Sequence, residues 1–199
     1  MCYLGWKRLQ NCLSLVESLA TDRTSTRFQV TYQTISINPA LPTLGVSREE
    51  YLLNKMSHDA LNNAHSRLRM LGEAEGIKYG LEVKIGNTRD AHRLLYLGKT
   101  KSAEIEELLL SIIFRTHFEE DGDITSHEAL IACGKEAGLD KVEVRNWLKN
   151  NGGGREVDRD NEEAGKQGIT AVPHLRINGQ YELRGTPDSQ FLLQILTDK

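Results

Sequence analysis

Gly168-Ile169-Thr170-Ala171-Val172-Pro173-His174-Leu175-Arg176-Ile177-Asn178-Gly179-Gln180-Tyr181 decides how the rest of the chain is read. Pro173 opens a short apolar run. Lacking a backbone N–H, it can begin a strand but cannot sit inside a central one. An X–Pro bond is also the one peptide bond that adopts cis at modest cost. Leu175 and Ile177 alternate with Arg176. Asn178-Gly179 is a strong two-residue hairpin signal, because both positions tolerate positive φ. Tyr181 and Leu183 supply the return strand. Gly185 breaks it, Thr186 is placed as an N-cap, and Pro187 suits the first position of the next helix. That helix carries Phe191, Leu192, Ile195 and Leu196 on one side. The plain alternative is an ordinary hairpin started by a trans proline.

Strand, hairpin, strand and helix behind Val172-Pro173 resemble the second half of a thioredoxin fold. The wording Gly-Ile-x-x-Val-Pro…Ile-Asn-Gly…Gly-Thr-Pro is similar to the DsbA-type thiol–disulfide oxidoreductases, in particular their FrnE-like cytosolic branch. The resemblance implies that the proline is cis and that its loop lies against redox cysteines. It also implies that Val172 and Pro173 offer backbone to an extended protein or peptide substrate by strand addition.

Composition sets the outer bounds. A chain of 199 residues is long enough for one domain with a real core. Hydrophobic residues at 39% and charged residues at 27% fit a globular protein. A formal charge of −3 argues against nucleic acid held on a basic surface. No apolar run approaches the ~20 residues that span a bilayer, and the opening residues lack the order of a signal peptide. Three widely separated cysteines make no disulfide framework, so a cytoplasmic location is the expectation. His58 and His65 have no acidic or cysteine ligands clustered with them, so no metal site is expected.

At the start, Leu9, Cys12, Leu13, Val16, Leu19 and Ala20 recur at three- and four-residue steps. Residues from about 4 to 20 therefore read as an amphipathic helix. Cys2 stands just before it, where the positive end of the helix dipole favours thiolate. Cys-Tyr-Leu-Gly-x-x-Arg-Leu resembles the segment that begins at the second cysteine of the family's Cys-Pro-Trp-Cys. The resemblance makes Cys2 the resolving thiol and leaves the nucleophilic cysteine and the first strand before residue 1. Cys12 cannot replace the missing thiol. It lies ten residues along the same helix, roughly 15 Å away, beyond disulfide reach. Cys12 and Cys133 both read as core.

Residues 21–26 read as a polar connection, and 27–37 as a strand, with Phe28, Val30 and Tyr32 alternating before Ile35 and Ile37. Ser47-Arg48-Glu49-Glu50 has the form of a capping box. Leu61, Ala64, Leu68 and Leu71 mark one face of a helix ending near Gly72 to Gly76. Ile77, Tyr79, Leu81 and Val83 alternate around Gly80, which favours an extended connection. Asn87-Thr88-Arg89-Asp90-Ala91-His92-Arg93-Leu94 is similar to the family's Asn-Thr-x-x-Ala-His-Arg-Leu segment, with Thr88 as an N-cap. By that resemblance Asn87 and Thr88 lie beside the active-site cleft; the bland reading is that they only cap a helix and that His92 is a surface side chain. Further helices follow at 101–118, behind Ser126 and behind Asp140. The run Asn150 to Gly154 is the clearest linker. A charged helix at 155–166 leads back to the hairpin.

Strand-like elements at both ends, with helices between, give an α/β thioredoxin-like fold with a large helical insertion of the DsbA type, its first strand missing. The divisions are 1–46 and 151–199 for the thioredoxin-like halves and 47–150 for the insertion. The resemblance implies a thiol–disulfide oxidoreductase acting on protein or peptide dithiols and disulfides, impaired because the nucleophilic cysteine is absent. No bound cofactor is expected. Kappa-class glutathione transferases and 2-hydroxychromene-2-carboxylate isomerases share the plan, which leaves glutathione as an alternative ligand. A redox-inactive binding or chaperone module is the third reading. A missing central strand also leads us to expect a low melting temperature or a homodimer.

Overall fold

Helices dominate the computed structural model, which describes residues 1–19 and 28–198. The connection at 21–26 and residue 27 lie outside the described residues. Helix α1 (Cys2–Leu19) buries Tyr3, Leu4, Cys12, Leu13 and Val16 at helical spacing. It begins earlier than the periodicity indicates, so Cys2 is its first residue. Leu19, expected on the apolar side, is 72% exposed at the helix end.

The expected strand at 27–37 is corrected. Residues 28–36 run without strand pairing, although Phe28, Val30 and Tyr32 are half-buried between exposed neighbours. Alternation settles which side chains turn inward, but a strand also needs a hydrogen-bonded neighbour, and none is present among the described residues. Ser36 N–H donates instead to Asn161 Oδ1 at 2.6 Å.

Two short strands, β1 (Val46–Ser47) and β2 (Lys84–Ile85), pair antiparallel, with Val46 opposite Ile85. Ser47 caps α2 (Arg48–Leu53), its Oγ accepting from Glu50 N–H. Ser57 restarts the chain as α3 (His58–Glu73) by accepting from Ala60 N–H. Leu61 is buried, Leu68 and Leu71 are half-buried, but Ala64 is exposed and leaves the expected face. Ile77, Tyr79 and Val83 are buried in an extended connection, with Leu81 turned out.

The main core lies among α4 (Arg89–Lys101), α5 (Ala103–Phe118), α6 (His127–Glu136) and α7 (Lys141–Lys149). Leu94, Leu109, Leu130 and Val144 are fully buried there. Within α5, Leu108 is 46% exposed. Asp140 caps α7 through bonds to Val142 N–H and Glu143 N–H.

The glycine run before α8 (Gly154–Lys166) is not a loose linker. Buried Arg93 donates to the carbonyls of Trp147, Leu148 and Gly152 at 2.8–2.9 Å. The Trp147 ring lies where a Cβ on Gly152 would be.

Strands β3 (His174–Ile177) and β4 (Tyr181–Arg184) form the expected hairpin, Ile177 opposite Tyr181. Asn178 and Gly179 take φ of 52° and 69°, the geometry that a two-residue turn demands. The last helix is corrected at its start. Asp188, not Thr186, caps α9 (Ser189–Thr197) by accepting from Phe191 N–H. Leu192 and Ile195 are buried, while Phe191 faces out at 41% exposure. No helix among the described residues is long and apolar enough to cross a membrane.

Candidate functional site at the start of the first helix

The first turn of α1 is wedged into the protein by aromatic packing. Tyr3 is ringed by Phe114, Phe118, Trp6 and Tyr79, with centroids 5.3–6.3 Å away. Its hydroxyl donates to Glu119, and burial together with that carboxylate pushes the phenol well up from its ordinary range. One turn on, Arg8 is buried and donates to Glu75 Oε1 and to the carbonyl of Pro187, both at 2.7 Å. Asn11 and Ser189 also donate to Glu75. Burial raises the Glu75 carboxyl, but these hydrogen bonds and the charge of Arg8 outweigh it and hold the carboxyl below its ordinary value. The network fixes α1 against α9 and against the segment after α3.

Held in this way, α1 turns Gly5 toward the loop before the hairpin. A Cβ on Gly5 would fall 2.9 Å from Pro173 Cγ, with Thr186 Oγ1 at 3.6 Å. The Val172–Pro173 bond is cis. Pro173 carbonyl accepts from Gly185 N–H at 2.8 Å. Neither the N–H nor the C=O of Val172 is bonded among the described residues. The Thr186 hydroxyl is buried and unpartnered. Three residues before Gly5, Cys2 is half-exposed.

The thiol does not titrate as its helix position alone suggests. Burial pushes Cys2 above its ordinary value, and the opposing pull of the Met1 amino group and the helix-start N–H does not overcome it. Tyr79, close enough to feel the Cys2 charge, has a buried, unpartnered hydroxyl and is raised to about 12 by burial, then by Glu119. Cys12 and Cys133 are buried at 3% exposure and free, with thiols raised by burial.

Asn87 and Thr88 stand at the start of α4. Asn87 donates to Pro39 O at 2.9 Å, while its N–H donates to Pro42 O at 2.7 Å. Its Oδ1 accepts from Arg89 N–H at 2.9 Å, so Asn87 supplies the side-chain cap of α4 and Thr88 makes none. Among the described residues, no hydrogen bond joins either residue to Cys2, Val172 or Pro173. His92 is half-buried with its Nδ1 sealed and unpartnered, which corrects the surface reading. No cluster of three or more His, Cys, Asp or Glu able to hold a metal ion occurs among the described residues.

A family model described as a DSBA-like thioredoxin domain matches residues 1–197. The chain belongs to the DSBA-like thioredoxin domain family. Among solved structures, a probable DsbA oxidoreductase from Streptomyces coelicolor is similar, with 27% identity and a TM-score of 0.86. The match covers 98% of this chain and 83% of that one. A 2-hydroxychromene-2-carboxylate isomerase is similar in fold alone, at 16% identity and a TM-score of 0.68, covering 96% of this chain and 87% of that one. No curated protein matches. Within this DSBA-like domain, Gly5 and Arg8 stand in the Cys-Tyr-Leu-Gly-x-x-Arg-Leu segment and Tyr79 in an alternating run, but the sequence assigns none of them, nor Glu75, a place at the site. Gly5 carries a local signal, a small residue at a buried helical position. The partners of the other three come from distant segments.

Proposed function

We propose that this DSBA-like domain carries out thiol–disulfide chemistry at Cys2 on extended peptide substrates lying along the Val172–Pro173 loop. The observation that supports this most directly is the packing of Gly5 on Pro173. It brings an open backbone position, Val172, next to the helix turn that bears the thiol. An extended substrate would pair with that N–H and C=O by strand addition. The Cys2 thiolate would then attack a substrate disulfide, form a mixed disulfide and expel the other substrate sulfur as thiolate. Cys12 and Cys133 are buried core thiols, so neither resolves that intermediate. Glutathione enters this reading as the external thiol that displaces the bound sulfur.

Trapping and turnover test the proposal together. A disulfide-containing peptide should form a mixed disulfide with the native chain but not with Cys2→Ser. Insulin reduction should be slow, and slower at pH 7 than at pH 9, because burial raises the thiol. Failure to trap at Cys2 would sink the thiol chemistry. Turnover equal to that of a two-cysteine relative would overturn the single-thiol reading.

A further inference from the structure

The side of α3 facing Gly80 and Leu81 carries Asn62, His65, Ser66 and Arg69. The steps of three and four residues stack these side chains along one helix face. Arg48, at the start of α2, joins them in lining an open cleft of about 280 Å³. Leu68 and Leu81 are the apolar parts of its wall.

The polar wall is rich in donors. Arg48 Nη2 lies 2.9 Å from His65 Nε2. A guanidinium cannot accept, so Nε2 accepts and the ring proton is on Nδ1. Burial, then the charge of Arg48, lowers His65 from its ordinary value, which keeps it neutral. Burial also lowers the half-buried Arg48, opposed first by the charge of Asp121. Asp121 is itself engaged by Glu82 N–H at 3.0 Å, and Glu49 lies near enough to act on His65. Arg69 makes no ion pair among the described residues. The cleft thus presents one uncompensated guanidinium, a second partly desolvated one, a hydroxyl and a carboxamide. That set suits an anion and opposes a cation. Arg48 also acts on the Met1 amino group, so the cleft lies on the side of the molecule where α1 begins.

We infer that this cleft binds an oxyanion, a carboxylate or phosphoryl group, held by Arg69 and Arg48 with Ser66 and Asn62 donating to its oxygens. The group belongs either to an acidic residue of a peptide or to a free small acid. The inference needs no reaction at Cys2.

Titration of the full chain with inorganic phosphate, followed by amide chemical shifts, tests it. Arg69→Glu should weaken binding about tenfold or more, whereas Arg67→Glu, which makes the same charge change away from the cleft, should alter it less than about twofold. Ser66→Asp should act like Arg69→Glu, and circular dichroism confirms that each variant is folded. A second arm uses a blocked tetrapeptide containing two glutamates. Tighter binding than phosphate supports a peptide source, weaker binding supports a free acid, and either supports the cleft when Arg69→Glu abolishes it. Equal weakening by Arg67→Glu and Arg69→Glu, or no binding of either probe, overturns it. Unchanged binding in Cys2→Ser supports a site independent of the thiol reading; loss of binding there counts against that independence.

Discussion

Gly5 and Gly165 are both helical, yet the same substitution should act on them in opposite directions. A Cβ on Gly5 falls 2.9 Å from a proline ring whose carbonyl is tied to Gly185, so the helix or the loop must shift. A Cβ on Gly165 meets nothing within 4 Å. Gly5→Ala should cost about 1–2 kcal/mol by overpacking, and Gly165→Ala should add about 0.5–1 kcal/mol of helix propensity. Urea midpoints at constant slope measure both; a stabilised Gly5→Ala would refute the close contact. A second residue-scale expectation concerns pH. Burial lowers His92 to about 4, against about 6.5 in an unfolded chain. The unfolded state therefore takes up the proton first, and stability is full above pH 6.5 and falls between 6.5 and 4. The loss should be about 1–2 kcal/mol, discounted for the half-exposed ring. His92→Gln should remove part of the slope of the urea midpoint across that window; the rest belongs to His117, lowered to about 4 by burial, and to His65, which burial also lowers. Asp90, lowered because bonds from His127 and Arg93 outweigh burial, acts only in the acid range below it.

Elements differ in how far their own sequence determines them. The hairpin and the caps Ser47 and Asp140 were legible because each signal lies within four residues of what it controls. That Cys2 stands beside a helix start was legible for the same reason, although the helix takes it in as its first residue; its raised thiol was not legible, because burial in the fold causes it. The 28–37 segment shows its inward and outward faces but not its pairing, which depends on a neighbour. The 150–153 turn is the clearest case. Its glycines read as a linker, yet Arg93 from α4 bonds the Gly152 carbonyl there, the Trp147 and Leu148 carbonyls at the end of α7, and Asp90 at 2.5 Å. Arg93→Met should strand those carbonyls and cost about 3–5 kcal/mol. Arg93→Lys should recover only part, because an ammonium cannot reproduce the planar fork. Full recovery in thermal unfolding would show that charge alone, rather than the fork, holds the turn.

At the scale of the whole molecule, two apolar clusters must unfold together for the protein to behave as one unit. One fills α4 to α7; the other gathers Tyr3, Leu4, Ile77 and Tyr79. Trp6 and Phe114 pack against both, their rings 5.9 Å apart. Arg8 and Glu75 tie α1 to α9, and Trp6 and Gln10 donate to Tyr32 at the edge of the larger cluster, but the ring pair is the apolar packing that the two clusters share. Phe114→Ala should therefore do more than the loss of about 2–4 kcal/mol expected for a partly buried aromatic. Amides of α1 should exchange with solvent faster than those of α4 and α7, whereas in the native chain the two sets should share one opening free energy. Leu130→Ala, inside the larger cluster alone, should lower protection in both sets equally. If Phe114→Ala also lowers both equally, the clusters are joined by more than these two rings, and backbone contacts along α5 become the next place to cut.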